Sequence, residues 1–314
     1  MCCITLCINY LAMKLQQLYD VIIIGGSYAG LSAAMALGRS LRSVLVIDSG
    51  NPCNTNAPYA HNFITNDGSH PTDIAYRARQ QVLAYPTVHF LDGLATDVLP
   101  NGITFEVLTA DNQNFTAHKI IFATGVTDLI PNIKGFAECW GKTILHCPYC
   151  HGFESANKVT GIVGNGDMGF EMAKTISNWT DKLTLYTNGT STLSPDEVMK
   201  LNSHNIVVVE NEIDYIEESD GQIKKLHFKD TDADSPDVIY TQLPFKQQCD
   251  IPEKLGLQVT DKGLIYISKC LETSIPGIYA AGDCTSLLRS LANATAAGSK
   301  LGALLNKCLI DERF

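Results

Sequence analysis

The sequence is poor in basic residues. It has 23 Lys and Arg against 33 Asp and Glu, which gives a formal net charge of −10 at pH 7. Proteins that bind nucleic acid or an anionic membrane surface usually present excess positive charge, because phosphate groups dominate both partners. The charge balance therefore argues against a nucleic-acid partner and against a membrane partner.

The sequence also lacks a long apolar run. Its first dozen residues are apolar, but they are too few to span a bilayer, and they have neither a basic region nor a small-residue cleavage site beside them. We expect neither a membrane anchor nor a signal peptide. Residues 1–18 are interpreted as an N-terminal extension, with Met13 as an alternative start of translation.

Regular cysteine spacing is missing as well. The 11 cysteines are odd in number and scattered over a long chain with 24 glycines, whereas secreted disulfide scaffolds are usually short and have paired cysteines. A reducing compartment fits this usage better, so the sequence predicts a cytoplasmic protein. At 314 residues the chain is long enough for two domains, each with its own core.

One pair of cysteines does stand at a chemically useful spacing, Cys147-Pro148-Tyr149-Cys150, and His151 follows it directly. Such a pair is usually a redox couple or half of a zinc site. Zinc would need two more ligands, and the chain has no second Cys-x-x-Cys. We therefore predict a redox pair and no metal, with a zinc site and an inert structural pair as the alternatives. His151 is a candidate to accept or return the proton of the attacking thiol.

A glycine-rich turn follows the first predicted strand, residues 20–24, and precedes a helical stretch, residues 31–41. The turn contains Gly25, Gly26, Ser27 and Gly30. A second predicted strand, residues 44–47, leads to Asp48, 18 positions after Gly30. This order is typical of a dinucleotide-binding βαβ unit, in which a helix N-terminus receives the pyrophosphate and the acid accepts from a ribose hydroxyl. Ser27 replaces the middle glycine of the usual pattern.

A second unit of the same kind begins after the cysteine pair. The predicted strand 159–163 and helix 170–179 flank an intact G-x-G-x-x-G made by Gly164, Gly166 and Gly169. These glycines predict a second nucleotide site. The next predicted strand, residues 183–186, is followed by neither an acid for a ribose diol nor an Arg for a 2′-phosphate, and the first basic residue is Lys200. The turn permits NADPH or NADH, but the missing recognition residues argue against both.

Two shorter motifs are further candidates for cofactor contact. A predicted buried strand, residues 119–122, ends in small residues up to Gly125, where the backbone could approach a cofactor. Near the end of the chain, Gly282 and Asp283 follow an apolar strand and precede a helix of small residues, 292–305. Asp283 could bind a hydroxyl or phosphate group, or it could cap that helix.

Four motifs thus stand in one order: GGSYAG, CPYC, GNGDMG and YAAGD. Their order and spacing resemble the low-molecular-weight thioredoxin reductase family of FAD-dependent disulfide oxidoreductases. The likeness runs from residue 19 to the end of the chain and is weakest at residues 193–250. The stretch CPYCHGFE is also similar to the CxxCHG-aromatic-E motif of thioredoxin-reductase-like dithiol oxidases, which pass electrons from a small dithiol through flavin to oxygen.

The resemblance implies roles for the matched residues. The glycines of the first turn and Asp48 would hold the adenylate half of FAD, and Asp283 would hold its ribityl-phosphate side. Cys150 would face the flavin, and Cys147 would attack the external partner. The family usually has an acid after the second cysteine, so His151 would deliver the proton instead. The basic HRRxxxR signature that grips NADPH and the Arg-Gln-Ala before the last helix are both absent.

These features predict an α/β protein with two Rossmann-like three-layer nucleotide-binding domains, the second inserted into the first. Residues 19–128 and 246–314 would form the FAD-binding domain. Residues 129–245 would form a central NAD(P)-like domain that carries the redox disulfide.

The predicted function is FAD-dependent thiol–disulfide exchange of the thioredoxin reductase type. The expected partner is a thioredoxin-like protein or a small dithiol or disulfide, and the family implies a homodimer. One alternative is a dithiol oxidase that uses oxygen. The other is a flavin-bound redox sensor or interaction protein that cycles its disulfide without turnover.

Overall fold

The structure is a computed structural model that describes residues 18–314. Met13 and the predicted N-terminal extension, apart from Leu18, lie outside the described residues. Leu18 begins the first strand, two residues before the predicted start at Asp20.

The elements of the first part of the chain are β1 (Leu18–Ile24), α1 (Tyr28–Arg39), β2 (Val44–Asp48), α2 (Pro71–Leu83), β3 (Val88–Asp92), β4 (Ala95–Asn101), β5 (Thr104–Thr109), β6 (Asn114–Phe122) and β7 (Val126–Asp128). The central part contains α3 (Phe136–Cys139), β8 (Ile144–Leu145), α4 (Pro148–His151), β9 (Thr160–Val163), α5 (Gly166–Ile176), β10 (Leu183–Tyr186), α6 (Pro195–Ser203), β11 (Val207–Val209), β12 (Ile213–Ser219), β13 (Gln222–Phe228), β14 (Val238–Thr241) and β15 (Phe245–Gln247). The last part contains α7 (Ile251–Lys254), β16 (Ile278–Ala280) and α8 (Leu291–Asp311).

The chain divides into two compact units. Among the described residues, unit 1 comprises 18–53, Thr72–Thr127 and Lys246–Phe314, and unit 2 comprises Asn54–Pro71 and Asp128–Phe245. The segment Asn54–Pro71 belongs to unit 2, whereas the predicted first part of the FAD-binding domain, residues 19–128, includes it. The physical reason lies in its contacts, because His61 on this segment pairs with Glu154 of the central part.

Unit 1 is built on a seven-stranded sheet in the order β3-β2-β1-β6-β5-β4, with β16 beside β6. Strands β3, β2, β1, β6 and β16 pair in parallel, while β4, β5 and β6 form an antiparallel meander. Strands β1 and β2 are almost wholly buried, as expected for parallel strands covered on both faces. Helix α8 packs tightly on α1, since a Cβ on Gly298 would stand 2.0 Å from the Ala29 carbonyl oxygen.

Unit 2 contains a five-stranded parallel sheet in the order β11-β10-β9-β14-β8. Helix α5 connects β9 to β10, and α6 connects β10 to β11. An antiparallel hairpin, β12 and β13, follows. Strands β7 and β15 form a separate two-stranded sheet.

The predicted fold class is confirmed, because both units contain the βαβ arrangement of a Rossmann-like domain. Strand β10 has the predicted bounds, whereas α1 begins three residues before its predicted start, at Tyr28. Helix α6 was not predicted, although Ser194 and Glu197 form a capping box at its start. Among residues 18–314, none of the helices combines the length and apolar character needed to cross a membrane.

Candidate active site and cofactor-binding turns

The cysteine pair lies at the start of helix α4. Cys147 is the N-cap, with an extended backbone (φ −116°, ψ 109°), and Pro148 follows as the first helical residue. The backbone N–H of Cys150 donates to the Cys147 carbonyl at 3.3 Å. Both cysteines are thiols with half-buried side chains. One short helical turn therefore carries both sulfur atoms, with Cys147 at its N-terminal end.

The two thiols differ in acidity. A hydrogen bond from the Cys150 thiol lowers the pKa of Cys147 to about 7; burial opposes this shift, and the backbone N–H groups of Cys150 and Tyr149 reinforce it. The same bond raises the pKa of Cys150, and burial raises it further. The pair therefore shares one proton, which stays on Cys150 when Cys147 ionises. Because a thiolate attacks a disulfide and a thiol does not, the lower pKa of Cys147 favours this residue as the candidate nucleophile of the pair.

His151 ends helix α4 and is half-buried. Burial lowers the pKa of His151, the Glu154 carboxylate opposes this shift, and His61 adds to it. The lowered pKa favours the neutral imidazole, which is the form able to accept a proton. The His151 carbonyl accepts a hydrogen bond from the Ser155 hydroxyl at 2.8 Å.

A buried tyrosine of strand β14 lies within electrostatic reach of this turn. The Tyr240 hydroxyl is 2.7 Å from Ser155 Oγ. Burial raises the pKa of Tyr240 to about 12, and the charges of Cys147, Glu154 and Cys150 contribute to the rise. The phenol is thus neutral in the working pH range and can donate a hydrogen bond.

The residues around the pair also create an exposed apolar surface. Tyr149 is 67% exposed and Phe153 is 86% exposed. Tyr149 meets the Trp179 ring edge-on, with ring centroids 5.7 Å apart. A Cβ on Gly152 would stand 2.7 Å from the same indole, so the glycine after His151 is required for the turn to pack on Trp179.

The first glycine-rich turn in unit 1 has the geometry of a dinucleotide turn. Gly25 has φ +103°, and a Cβ there would stand 2.3 Å from the Ala123 carbonyl oxygen. A Cβ on Gly30 would stand 1.9 Å from the Gly25 carbonyl oxygen, so strand and helix approach each other closely. The N–H of Gly26 donates to Asp48 Oδ1 at 3.0 Å, which fixes the predicted ribose-binding acid beside the turn.

Ser27 is the N-cap of α1, and within residues 18–314 its side chain makes no capping hydrogen bond. Gly125 has φ +69°, and no atom of the described chain lies within 4 Å of the position of its missing Cβ. The neighbouring Thr124 Oγ1 is buried and has no hydrogen-bond partner among the described residues. An uncapped helix start, open space and a buried unsatisfied hydroxyl together fit a bound dinucleotide such as FAD.

The Gly282–Asp283 motif lies next to the first turn of α1. A Cβ on Gly282, which has φ +91°, would stand 2.9 Å from Ala29 Cβ on the first turn of α1. Asp283 Oδ2 is 3.9 Å from Arg289 Nε, and both side chains are mostly buried. The fold thus brings the predicted residues of the two chain ends together in unit 1.

The second glycine-rich turn is contacted by its own chain. Asn165 caps α5 by accepting from the Gly166 N–H at 2.8 Å, and the same oxygen accepts from Thr192 N–H at 2.8 Å. A Cβ on Gly166, which has φ +54°, would stand 2.9 Å from Thr192 Oγ1. A Cβ on Gly169 would stand 2.9 Å from the backbone of Gly164, so this glycine permits close strand–helix packing. The loop after β10 therefore lies over the turn where a pyrophosphate would bind.

Sequence reasoning missed several residues that the structure places beside the predicted ones. They are Asn165 and Thr192 at the second turn, Arg289 beside Asp283, Thr124 beside Gly125, and Tyr240 and His61 near the cysteine turn. Asn165 is a good helix N-cap residue type directly before α5, which is a signal that could have been used. The others are brought in by tertiary structure and have no local signature.

Comparison with known proteins identifies relatives of the whole chain. Residues 19–298 match the pyridine nucleotide-disulphide oxidoreductase family. The chain is 30% identical over 313 residues to a thioredoxin reductase, tcpT, of Claviceps purpurea, covering 96% of this chain and 97% of that protein.

Solved structures give the same result. A putative thioredoxin reductase, TrxB, from Bacillus anthracis superposes with a TM-score of 0.90 at 29% identity, covering 94% of this chain and 100% of the other. An oxidoreductase from Agrobacterium tumefaciens superposes with a TM-score of 0.87 at 33% identity, covering 94% and 99%. The chain therefore belongs to the pyridine nucleotide-disulphide oxidoreductase family and is a thioredoxin reductase-like, FAD-dependent disulfide oxidoreductase.

Proposed function

We propose that this protein exchanges electrons between an external thiol or disulfide and FAD through the pair Cys147 and Cys150. The observation that carries the proposal is the unequal acidity of the two thiols, which makes Cys147 a thiolate near pH 7 while Cys150 keeps its proton. An attacking cysteine must be a thiolate, and a resolving cysteine can remain protonated until the mixed disulfide has formed.

In the reductive direction, the Cys147 thiolate attacks one sulfur of the partner disulfide, and the other partner sulfur leaves as a thiolate. Cys150 then attacks the Cys147 sulfur, which closes the enzyme disulfide and releases the second partner thiol. The proton that Cys150 loses needs an acceptor, and neutral His151 is our candidate. In the oxidative direction the same steps run in reverse.

FAD, when bound, supplies the two-electron donor or acceptor for the pair. Gly25, Gly26, Ser27 and Gly30 would hold its pyrophosphate at the start of α1, with Asp48 on the ribose. Gly125, Gly282 and Asp283 would bind its ribityl-phosphate side. Gly164, Gly166 and Gly169 remain candidates for a pyridine nucleotide.

For the partner we propose a thioredoxin-like protein or a small dithiol or disulfide. The exposed side chains of Tyr149 and Phe153 favour an apolar surface on that partner. We also propose a homodimer and a cytoplasmic location, since the family resemblance implies the first and a reactive dithiol persists best in a reducing compartment.

Trapping a mixed disulfide tests the assigned roles. We expect Cys150→Ser, treated with dithiobis(nitrobenzoate), to hold one thionitrobenzoate on Cys147, because the attack still occurs and resolution does not. Cys147→Ser should label much more slowly at this pair. Peptide mass spectrometry locates the adduct. Preferential labelling of Cys150 over Cys147 in the folded wild-type protein would contradict the assignment.

A second candidate is oxidation of a small dithiol with transfer of electrons to oxygen. One observation favours it, namely the loop after β10, where Thr192 lies against the second glycine turn and no Arg or Lys follows Tyr186 until Lys200. A protein that cannot bind a pyridine nucleotide would need another route for its electrons. Oxygen consumption that depends on added dithiol, without NADPH, would support this direction.

A further inference from the structure

The segment Asn54–Pro71 forms a closed loop that fixes one histidine. The N–H of Ala60 donates to the Ser69 carbonyl at 2.9 Å, and the N–H of Gly68 donates to the Ala60 carbonyl at 2.9 Å. Asn62 and Thr65 have φ values of +57° and +72°, which side chains rarely adopt. A loop this tightly folded holds its side chains in fixed positions.

The histidine is His61, and it lies between two carboxylates. Its Nε2 is 3.5 Å from Glu154 Oε1, and its Nδ1 is 3.6 Å from Asp67 Oδ2. Asp67 is itself held, because its Oδ1 accepts from the Asn62 N–H at 2.7 Å. The imidazole is 19% exposed. A ring with a carboxylate near each nitrogen can accept a proton at one nitrogen and release one from the other.

His61, His151 and Glu154 line one cavity of about 180 Å³ in unit 2. This volume is enough for several water molecules at about 30 Å³ each. The other charged groups that line it are Lys142, Lys158 and Asp237, and Tyr59 adds a phenol. Lys142 donates to the Asp220 carbonyl at 3.4 Å, and Asp237 accepts from the Val159 N–H at 2.9 Å. The two imidazoles and Glu154 are therefore the groups best placed for proton transfer.

The cavity connects to the cysteine turn through His151. His151 follows Cys150 in the chain and ends the same short helix. His61 and Glu154 both influence the pKa of His151, which burial lowers overall. The charges of Glu154 and of both cysteines also act on the Tyr240 hydroxyl. The charged groups that line the cavity and the two cysteines are therefore close enough to affect the same titratable side chains.

We propose that His61 is a positioning residue for thiol–disulfide exchange. Cys150 releases a proton to the His151 and Glu154 side of the cavity, and His61 carries it from there to Asp67 and solvent. The proposal rests on the function proposed above and adds a residue outside the central part of the chain. When Cys150 attacks the mixed disulfide, a bond forms between the Cys150 and Cys147 sulfurs, and the partner sulfur leaves as a thiolate. The Cys150 proton passes to His151, and the His61 route returns His151 to its neutral form.

The test separates the two chemical steps in a single turnover. Anaerobically reduced holoprotein is mixed with dithiobis(nitrobenzoate), and release of the coloured thiolate is followed from pH 5.5 to 9. The exposed Cys53 and Cys270 also react with this reagent, so the signal of the pair is the release that Cys147→Ser lacks. The first equivalent of that signal reports attack by Cys147, and the second reports closure by Cys150. For His61→Gln we expect an unchanged first phase and a second phase slowed about tenfold near and below pH 7, somewhat less than the loss of a direct general base.

Two variants and one additive exclude a merely structural role. His61→Ala should recover part of the second phase when imidazole is added, since the cavity then has room for the free base. Asp67→Asn keeps an oxygen for the Asn62 N–H and should slow the same phase. The matched control is His227→Gln, because His227 also pairs with a glutamate, Glu217, at 3.0 Å in unit 2 but lies outside the cavity.

Each outcome decides a different claim. If the wild type releases no more coloured thiolate than Cys147→Ser, the proposed function fails. If the wild type reacts and His61→Gln matches it in both phases across the pH range, the role of His61 is disproved. Equal slowing of both phases, with no response to imidazole, would likewise reduce His61 to a structural residue.

Discussion

Cys147 illustrates how one short helical turn sets the chemistry of a residue. An ordinary thiol has a pKa of 9.0, and the hydrogen bond from Cys150 is the largest cause of its fall to about 7. At pH 7 about half of the Cys147 side chains are therefore thiolates, against about one in a hundred for an ordinary thiol. Reactivity should therefore rise with pH through about 7, where it is half-maximal, and level off at higher pH.

Alkylation measures this directly. We expect the rate of iodoacetamide labelling of Cys147 in the reduced protein to reach half its maximum near pH 7. Cys150→Ala removes the donor, so the midpoint should move upwards towards the ordinary value. Cys150→Ser keeps a hydroxyl donor and should move it less. Mass spectrometry of the labelled peptide reads each rate.

Cys284 provides an internal control in the same experiment. It is fully buried, and burial raises its pKa to about 12. It should remain unlabelled while the protein is folded. A Cys147 midpoint that is the same in Cys150→Ala as in the wild type would contradict the role of the Cys150 hydrogen bond.

The sequence predicts the site residues that are close in the chain and misses those that are not. Cys147, Cys150 and His151 share one turn, so their spacing alone makes them candidates. His61 lies 86 positions before Cys147 and meets Glu154 only because Asn54–Pro71 folds into unit 2. Nothing in the local pattern around His61 predicts that contact.

At the scale of elements, the two glycine-rich turns differ in what covers them. In unit 1 the start of α1 is left open by Ser27, and Asp48 is held beside the turn. In unit 2 Asn165 caps α5 and also binds the loop after β10 through Thr192. The sequence showed both turns as similar patterns, because the difference lies in a hydrogen bond between residues 27 positions apart.

The second turn also lacks nearby basic residues, since no Arg or Lys follows Tyr186 until Lys200. This absence predicts that NADPH is a poor reductant of the protein. Loss of two charge-assisted contacts to the 2′-phosphate, at roughly 1.5–3 kcal/mol each, weakens binding by about two to four orders of magnitude. We expect slow flavin reduction by micromolar NADPH under anaerobic conditions, followed by absorbance. A dithiol at the same concentration should act faster.

A variant of the exposed loop sharpens the comparison. Thr190→Arg adds a cation beside the turn while leaving the Thr190 carbonyl, which accepts from Asn165 Nδ2, in place. It should improve reduction by NADPH, and Thr190→Gln should not. Rapid stoichiometric reduction of the wild-type flavin by micromolar NADPH would contradict this view and favour a plain reductase.

For the whole molecule, the pattern of strands and helices was predictable where each element carries its own signal. Strands β1, β2 and β10 are short apolar runs next to glycine-rich turns or helices, and the parallel sheets follow from their βαβ order. Helix α8 was predicted too short: the prediction ended at residue 305, where the run of small and apolar residues gives way to the mixed stretch NKCLID, whereas the helix continues to Asp311. The assignment of Asn54–Pro71 to unit 2 could not be predicted, since it depends on tertiary contacts.

The central claim is that electrons pass between an external sulfur compound and FAD through Cys147 and Cys150. The most direct measurement is anaerobic mixing of the oxidised holoprotein with dithiothreitol, followed by loss of the yellow flavin absorbance in the wild type, Cys147→Ser, Cys150→Ser and, as a control, Cys270→Ser. We predict stoichiometric bleaching in the wild type and the control, and loss of rapid bleaching in both variants of the pair although they retain FAD. Bleaching at the wild-type rate in Cys147→Ser and Cys150→Ser would contradict the claim.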